Sequence, residues 1–155
     1  SSFKGAARRL EKIAESPKLI VFKDFAHSPS KLKATTEAVK AQYANRRVIA
    51  CMELHTFSSL NSDFLAEYAN SMNNPDVALV YYNPHTIAHK KLAPITPDQV
   101  KEAFGRKDLI VMNESSDVVN YLRDQVYDKA VLLLMSSGNF DGIDLNSFAK
   151  ELADM

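Results

Sequence analysis

Short apolar runs alternate with amphipathic stretches along this chain, and the alternation predicts its elements. Residues 8–15 and 18–24 have the pattern of two strands, and Ser16 and Pro17 between them supply turn chemistry, which predicts an opening hairpin. Apolar positions recur at helical spacing over 29–44, where the fixed φ of Pro29 suits the first helical position. Residues 48–52 then read as a short buried strand.

The pattern repeats through the rest of the chain. Thr96 with Pro97 and Gln99 predicts a capped helix over 97–104, which Gly105 ends. The run at 131–135 is the most apolar and is expected at the centre of the sheet. The segments Tyr81–His85 and His89–Lys91 are interpreted as a solvated strand-end region. The remaining predictions are a helical face at 64–72, strands at 77–82 and 109–112, a helix capped by Ser115 or Ser116, and a last helix capped by Asp144.

This order of elements defines the fold class. After the hairpin, strands and helices alternate, which is typical of an α/β protein with a mainly parallel sheet. We therefore predict a Rossmann-like three-layer sandwich of about six strands with helices on both faces. In such sheets ligands bind beyond the carboxyl ends of the strands, so chemistry is sought in the loops at that edge.

Composition and charge narrow the possible functions. The 155 residues suit one domain, with 46% hydrophobic and 25% charged residues, and the zero net charge argues against a general nucleic-acid or anionic-membrane binder. Cys51 is the only cysteine, which excludes an intrachain disulfide and suits a reducing, cytoplasmic location. No secretory signal or membrane-length apolar run is visible. Because the chain opens on Ser1 and Ser2 rather than Met, we expect an excised piece of a larger protein.

The loop after the first long strand carries an acid and an imidazole. Asp24 and His27 precede a predicted helix N-terminus, where such a pair can hold a hydroxyl or a phosphate. The alternative is that Asp24 merely ends the strand and His27 is an exposed loop residue.

Two further strand-end loops are polar. Glu53 and His55 suggest a metal or an acid/base pair, but no third ligand is apparent and no metal site is predicted. Thr56, Ser58 and Ser59 are alternatively helix caps. Residues 136–139 combine hydroxyls, a glycine and an amide, which suit a bound carboxylate or phosphate, or else form a plain turn. The chain has no Walker A loop, no dinucleotide-binding fingerprint and no nucleophile elbow.

In this order the loops resemble those of the C-terminal domain of the Mur ligases, the ATP-dependent amide ligases of peptidoglycan synthesis. Residues 3–11 are similar to the family's opening Phe-x-Gly-Val-x-Arg-Arg-x-Glu motif. Residues 24–29 resemble its Asp-Tyr/Phe-x-His-x-Pro loop. Residues 53–58 stand where members with a muramic-acid acceptor carry a Pro-His/Arg segment, and residues 135–139 stand at the Met-Gly-Ala-Gly-Asp loop. The resemblance covers nearly the whole chain.

The resemblance implies the chemistry and the partners. ATP would phosphorylate the lactyl carboxylate of UDP-N-acetylmuramate, and an incoming amine would displace the phosphate. The family's P-loop and Mg²⁺ ligands lie in a central domain that, like the acceptor-binding domain, is absent from this chain. Residues 1–155 would close over ATP and present the amine, with no catalytic residue and no activity of their own. The implied nucleotide and domain-junction residues are Asp24, His27 and Ser28; the implied amine-substrate residues are His55, Thr56, Ser58, Ser136, Ser137 and Asn139.

The amine substrate stays open between two members of the family. One member adds L-alanine to UDP-N-acetylmuramate, and the other recycles murein tripeptide by joining it to the same acceptor. Residues 8–11 and 24–27 are more similar to the recycling ligase, which we therefore favour. A free-standing α/β module that binds a small ligand without chemistry remains a further alternative.

Overall fold

Six strands form a sheet in the computed structural model of this chain, which describes residues 10–155. The order across the sheet is β1-β2-β6-β3-β4-β5, and β1 pairs antiparallel with β2 while the other pairs are parallel. The predicted α/β class and the opening hairpin are confirmed; the part of the opening motif before residue 10 lies outside the described residues. The strands are β1 (Glu11–Glu15), β2 (Leu19–Asp24), β3 (Arg47–Leu54), β4 (Val77–Tyr82), β5 (Ile110–Met112) and β6 (Ala130–Met135).

The most apolar strand lies inside the sheet, as its sequence predicts. β6 is paired on one side with β2 and on the other with β3, and all six of its residues are buried. Its side chains alternate between the two faces, so Leu133 joins one apolar cluster and Leu132 the other. Burial on both faces explains why the run is uniformly apolar rather than alternating.

Helices cover both faces and complete the three layers. Leu32 of α1 and Phe104 of α3 pack into the cluster on one face, and Leu122 of α4 and Leu152 of α5 pack into the other. The capping box of Thr96 with Gln99 and the left-handed Gly105 after α3 are as predicted. The helices are α1 (Pro29–Gln42), α2 (Pro84–His89), α3 (Pro97–Phe104), α4 (Ser115–Asp124) and α5 (Leu145–Asp154).

Three local predictions were wrong. The helical face at 64–72 is only a 3₁₀ turn, Leu65–Tyr68, because the backbone leaves the helical conformation at Ala69, whose ψ is 127°, and at Asn70, whose φ is 67°. Ser115 and Ser116 are the first residues of α4 rather than its cap, which is the extended Glu114. The region after β4 contains α2, because the Asn83 side chain accepts from the amide of His85 and Pro84 starts the helix.

No helix within residues 10–155 has both the length and the apolar character that crossing a membrane requires.

Arg106 holds the segment that enters β4. Its guanidinium donates to the carbonyls of Met72, Pro75 and Asp76, at 2.8, 2.7 and 3.1 Å, and to the Asp108 carboxylate at 2.7 Å. The Arg106 side chain is only 13% exposed. One residue therefore satisfies three carbonyl groups of one irregular segment.

Replacement of Arg106 by alanine is expected to lower the free energy of unfolding by about 2–3 kcal/mol, because three carbonyls lose a charged donor. Urea denaturation followed by circular dichroism measures the change. Arg123→Ala is the matched control, since it removes an exposed ion pair with Glu151 and a contact with the Phe148 ring but no buried hydrogen bond, and it is expected to have a much smaller effect. Equal losses in the two variants would contradict this assignment.

Asp76 ties the same segment to the start of β3. Its Oδ2 accepts from the Lys40 ammonium at 2.6 Å and from the Val48 amide at 2.7 Å. Partial burial alone would raise the pKa of Asp76, but these two hydrogen bonds outweigh it and hold the pKa below its ordinary value of 3.8. A lowered pKa in the folded state means that ionised Asp76 stabilises the fold above its unfolded pKa, and that this contribution is lost as the pH falls through the folded value.

The Asp76→Asn variant should therefore be less stable than wild type at neutral pH, and the gap should narrow as the pH falls below 3.8. Urea midpoints of both proteins across the acid range measure this. A gap that stays constant or widens in acid would show that the Asp76 charge does not contribute.

Candidate functional site

The order of the strands brings three polar loops together. β2, β6 and β3 are neighbours, and because they are parallel their carboxyl ends meet at the same edge of the sheet. The loops that follow Asp24, Leu54 and Met135 therefore lie side by side. This edge is where ligands bind in open α/β sheets.

A cleft of about 420 Å³ opens at this edge, within the range of about 300–1,000 Å³ that is usual for small-molecule sites. Lys23 and Asp24 of β2, Ser136 and Gly138 of the loop after β6, and Asp144 at the start of α5 contribute to its wall. The wall thus carries both carboxylates and an ammonium group. That combination suits a ligand with charges of both signs, such as an amino acid or a peptide.

The loop after β2 is held by hydrogen bonds from two residues outside it, Thr35 and Tyr68. Asp24 is 6% exposed, and its Oδ2 accepts from the hydroxyl of Thr35 at 2.9 Å. The carbonyl of His27 accepts from the hydroxyl of Tyr68 at 2.6 Å, and burial raises the pKa of Tyr68 to about 12. Ser28 is the N-cap of α1, with no capping bond from its side chain. Tyr68 is therefore a neutral donor that fixes the loop at physiological pH.

The His27 ring stays close to its own loop. Its Nδ1 lies 2.8 Å from the carbonyl oxygen of Phe25, whereas the Asp24 carboxylate is bonded to Thr35 beneath the loop. The two side chains that the sequence paired are thus held by different partners. Phe25 itself is 55% exposed at the same edge.

Glu53 is buried rather than presented to solvent. The residue is 2% exposed, and its Oε1 accepts from the hydroxyl of Ser136 at 2.6 Å and from the amide of Phe140 at 2.9 Å. Its Oε2 lies 3.5 Å from Nδ1 of His55, whose side chain is 43% exposed. Glu53 and His55 are neighbours, as the sequence suggested, but the carboxylate joins the second loop to the third.

His55 also packs directly on the third loop. A Cβ built on Gly138 would lie 3.0–3.2 Å from three atoms of the His55 ring, closer than side chains normally approach. The amide of Gly138 donates to the hydroxyl of Ser136 at 2.8 Å. A side chain at this position would therefore displace the imidazole.

The remaining predicted site residues differ in their surroundings. Thr56 accepts from the amide of Ser59, and the Asn139 side chain accepts from the amide of Gly142, so both stabilise their own turns. Ser58 is exposed. The hydroxyl of Ser137 is buried and forms no hydrogen bond within the part of the chain that the structure describes. Ser137 does not line the cleft, so a ligand role for its hydroxyl stays a prediction.

Sequence reasoning did not identify Thr35 or Tyr68 as residues of this region, and it did not predict the bond between Phe140 and Glu53. Thr35 and Tyr68 lie 11 and 41 residues from the groups that they hold, and Phe140 lies 87 residues from Glu53. Apolar neighbours in the sequence indicated that these residues are buried. No local sequence pattern indicates a contact between residues so far apart in the sequence.

Within residues 10–155, no group of three or more histidine, cysteine, aspartate or glutamate side chains is placed to hold a metal ion. The side chains described here therefore do not fit a Mg²⁺ site of their own. Cys51 lies in the core, where burial strongly raises the pKa of its thiol.

The chain has an α/β fold with a polar cleft at the carboxyl edge of its sheet, which is where proteins with open α/β sheets bind their ligands. The family model "Mur ligase, glutamate ligase domain" matches residues 8–138. The chain belongs to this family and has the fold of the Mur ligase C-terminal domain.

The chain is also similar to individual curated proteins and solved structures. The chain is 31% identical over 160 residues to the UDP-N-acetylmuramate–L-alanine ligase of Sulfurihydrogenibium sp., covering 99% of this chain and 33% of that protein. The solved murein peptide ligase of Psychrobacter arcticus has a TM-score of 0.66 and 23% identity, covering 96% of this chain and 30% of that one. The MurF ligase of Thermotoga maritima, solved with ADP, has a TM-score of 0.56 and 18% identity, covering 91% and 30%. The chain spans about a third of the length of the curated relatives.

Proposed function

We propose that this chain is the amine-substrate domain of an ATP-dependent ligase that joins murein tripeptide to the lactyl carboxylate of UDP-N-acetylmuramate through an acyl phosphate. The observation that carries the proposal is the cleft of about 420 Å³ with charges of both signs, since this volume is in the range of about 300–1,000 Å³ that suits a ligand of peptide size. L-alanine alone would leave most of it unfilled.

The roles proposed for individual residues follow from the family resemblance, and of these residues only Asp24, Ser136 and Asn139 line the cleft itself. Asp24, His27 and Ser28 face the nucleotide and the junction with the protein's own central domain. His55, Thr56, Ser58, Ser136, Ser137 and Asn139 form the amine-substrate side. Because the Ser136 hydroxyl is held by Glu53 and the Ser137 hydroxyl is buried, the donor proposed for a substrate carboxylate is the partly exposed imidazole of His55.

The proposal assigns Mg²⁺ to the central domain, because the described side chains of this chain do not fit a metal site. ATP, when bound, supplies the phosphoryl group that activates the acceptor carboxylate. This domain orients the amine and excludes water as it closes. The chain alone is then expected to release no phosphate, and the complete enzyme would work in the cytoplasm, where ATP is available.

A second candidate is the UDP-N-acetylmuramate–L-alanine ligase. The specific observation in its favour is the 31% identity to the UDP-N-acetylmuramate–L-alanine ligase of Sulfurihydrogenibium sp.. In that case the amino acid would occupy a small part of the cleft. A non-catalytic module that binds a small ligand is the third candidate.

Phosphate release by the full-length parent protein tests these alternatives. The protein is supplied with ATP and UDP-N-acetylmuramate, and L-alanine is compared with L-Ala-γ-D-Glu-meso-diaminopimelate. Turnover with the tripeptide alone is the expected result. Turnover with L-alanine alone would establish the second candidate, and a folded protein that is silent with both amines would favour the binding module.

A further inference from the structure

Glu53 is a buried carboxylate to which the proposed function gives no role. Transfer of a carboxylate out of water is unfavourable unless hydrogen bonds compensate, so a buried glutamate at the end of a strand calls for an explanation. Its oxygens face Ser136, Phe140 and His55 rather than solvent. Because its Oε1 already accepts two hydrogen bonds, Glu53 is poorly placed to bind a ligand itself.

The contacts of Glu53 join two loops that come from different strands. Its backbone belongs to β3, whereas the hydroxyl and the amide that it accepts from belong to the segment after β6. The same segment supplies Gly138, against which the His55 ring packs. Glu53 therefore fixes the segment from Ser136 to Phe140 relative to His55.

The segment that Glu53 holds is in an unfavourable backbone conformation. Phe140, Asp141 and Gly142 follow one another with φ values of 54°, 61° and 93°. Left-handed φ costs a non-glycine residue about 1–2 kcal/mol, so the segment depends on its tertiary contacts. Two of these contacts involve Phe140. Its amide donates a hydrogen bond to Glu53, and its ring stacks on the Tyr81 ring with 6.2 Å between the centroids.

We propose that Glu53 is a positioning residue for the amine substrate, which acts by holding His55 and the Ser136–Phe140 loop in one fixed geometry. This inference rests on the proposed function. Both groups that donate to Glu53 are neutral, so this role depends on the length of the side chain and on its accepting oxygen rather than on its charge. A preorganised loop receives a substrate carboxylate without first having to be ordered.

Two conservative variants of the full-length ligase separate this role from a role of charge. Glu53→Gln keeps an accepting oxygen at the same reach and loses the charge. Glu53→Asp keeps the charge but is shorter by one carbon–carbon bond of about 1.5 Å, so it cannot reach both donors. Glu67→Asp, at an exposed glutamate of the 3₁₀ turn, is the matched control.

The expected result is that Glu53→Asp raises KM for the amine substrate about tenfold, while KM for ATP and for the acceptor changes less than about twofold. Glu53→Gln should recover most of the wild-type KM. If Glu53→Asp behaves like wild type, or if Glu53→Gln loses as much as Glu53→Asp, the positioning role is overturned. A parallel change in all three KM values would overturn it as well.

Hydrogen exchange of the same full-length proteins gives a readout that does not depend on turnover. The amides of Gly138 and Phe140 should exchange about tenfold faster in Glu53→Asp than in wild type and in the Glu67→Asp control. Unchanged exchange would refute the inference even if the enzyme proves to be a ligase. Faster exchange in Glu53→Asp, combined with a wild-type protein that is silent with both amines, would instead refute the proposed function and keep the loop-holding role of Glu53.

Discussion

Replacement of Gly138 by valine is expected to lower kcat/KM for the amine substrate of the full-length ligase by about 100-fold, the effect that a displacement of about 1 Å can have at a binding site. Any Cβ at this position lies 3.0–3.2 Å from the His55 ring, so the imidazole must move away. Alanine adds this Cβ alone, whereas valine carries two further methyl groups on it. Gly138→Ala should therefore give a smaller loss of about tenfold.

The control for this prediction is another glycine. Gly105 follows α3 with a φ of 69°, whereas Gly138 is not in the left-handed region. Gly105→Ala should lower the free energy of unfolding by about 1 kcal/mol and leave the amine KM unchanged. Gly138→Ala should do the reverse, raising the KM with little change in stability. Steady-state kinetics and urea denaturation of the two variants measure both effects, and a loss of stability without a kinetic effect in Gly138→Ala would contradict the account.

Leu133→Ala is expected to lower the free energy of unfolding by about 3 kcal/mol, as leucine-to-alanine changes in well-packed cores do. Leu133 is fully buried, and its backbone lies between Phe22 of β2 and Ala50 of β3. The paired strands on both sides limit how far the cavity can close. For a domain whose total stability is about 5–15 kcal/mol, this is a large fraction.

Val126→Ala is the comparison for Leu133→Ala, because Val126 is 87% exposed and contributes little to the core. Its effect on the free energy of unfolding should stay within about 0.5 kcal/mol. Chemical denaturation of both variants measures the contrast. Similar losses at the two positions would mean that β6 does not form the centre of the core.

The sequence was informative where the cause of a structure is local. The uniformly apolar run at 131–135 predicted an inner strand, which the structure shows buried on both faces. The capping residues Thr96, Gln99 and Gly105 predicted both ends of α3. The apolar spacing at 64–72 misled, because burial of Leu65 and Tyr68 requires only a single turn of 3₁₀ helix. Periodicity indicates which residues are buried, and it does not distinguish a helix from a folded loop.

The candidate site was predictable only in outline. The parallel sheet implied that the loops after β2, β3 and β6 share an edge, and the structure places them on adjacent strands. The bond from Ser136 to Glu53 spans 83 residues of sequence, and the bond from Tyr68 to His27 spans 41. Such contacts follow from the packing of whole elements, so no local motif contains them.

A titration of the isotope-labelled full-length protein tests the central claim most directly. We predict that ADP shifts the amide signals around His27, and that murein tripeptide shifts those of His55, Ser137 and Gly138. Two ligands acting on two neighbouring sets of loops is what an amine-presenting, ATP-closing domain requires. The claim would be contradicted if the His27 region responds to ADP while neither tripeptide nor L-alanine shifts the signals of His55, Ser137 and Gly138.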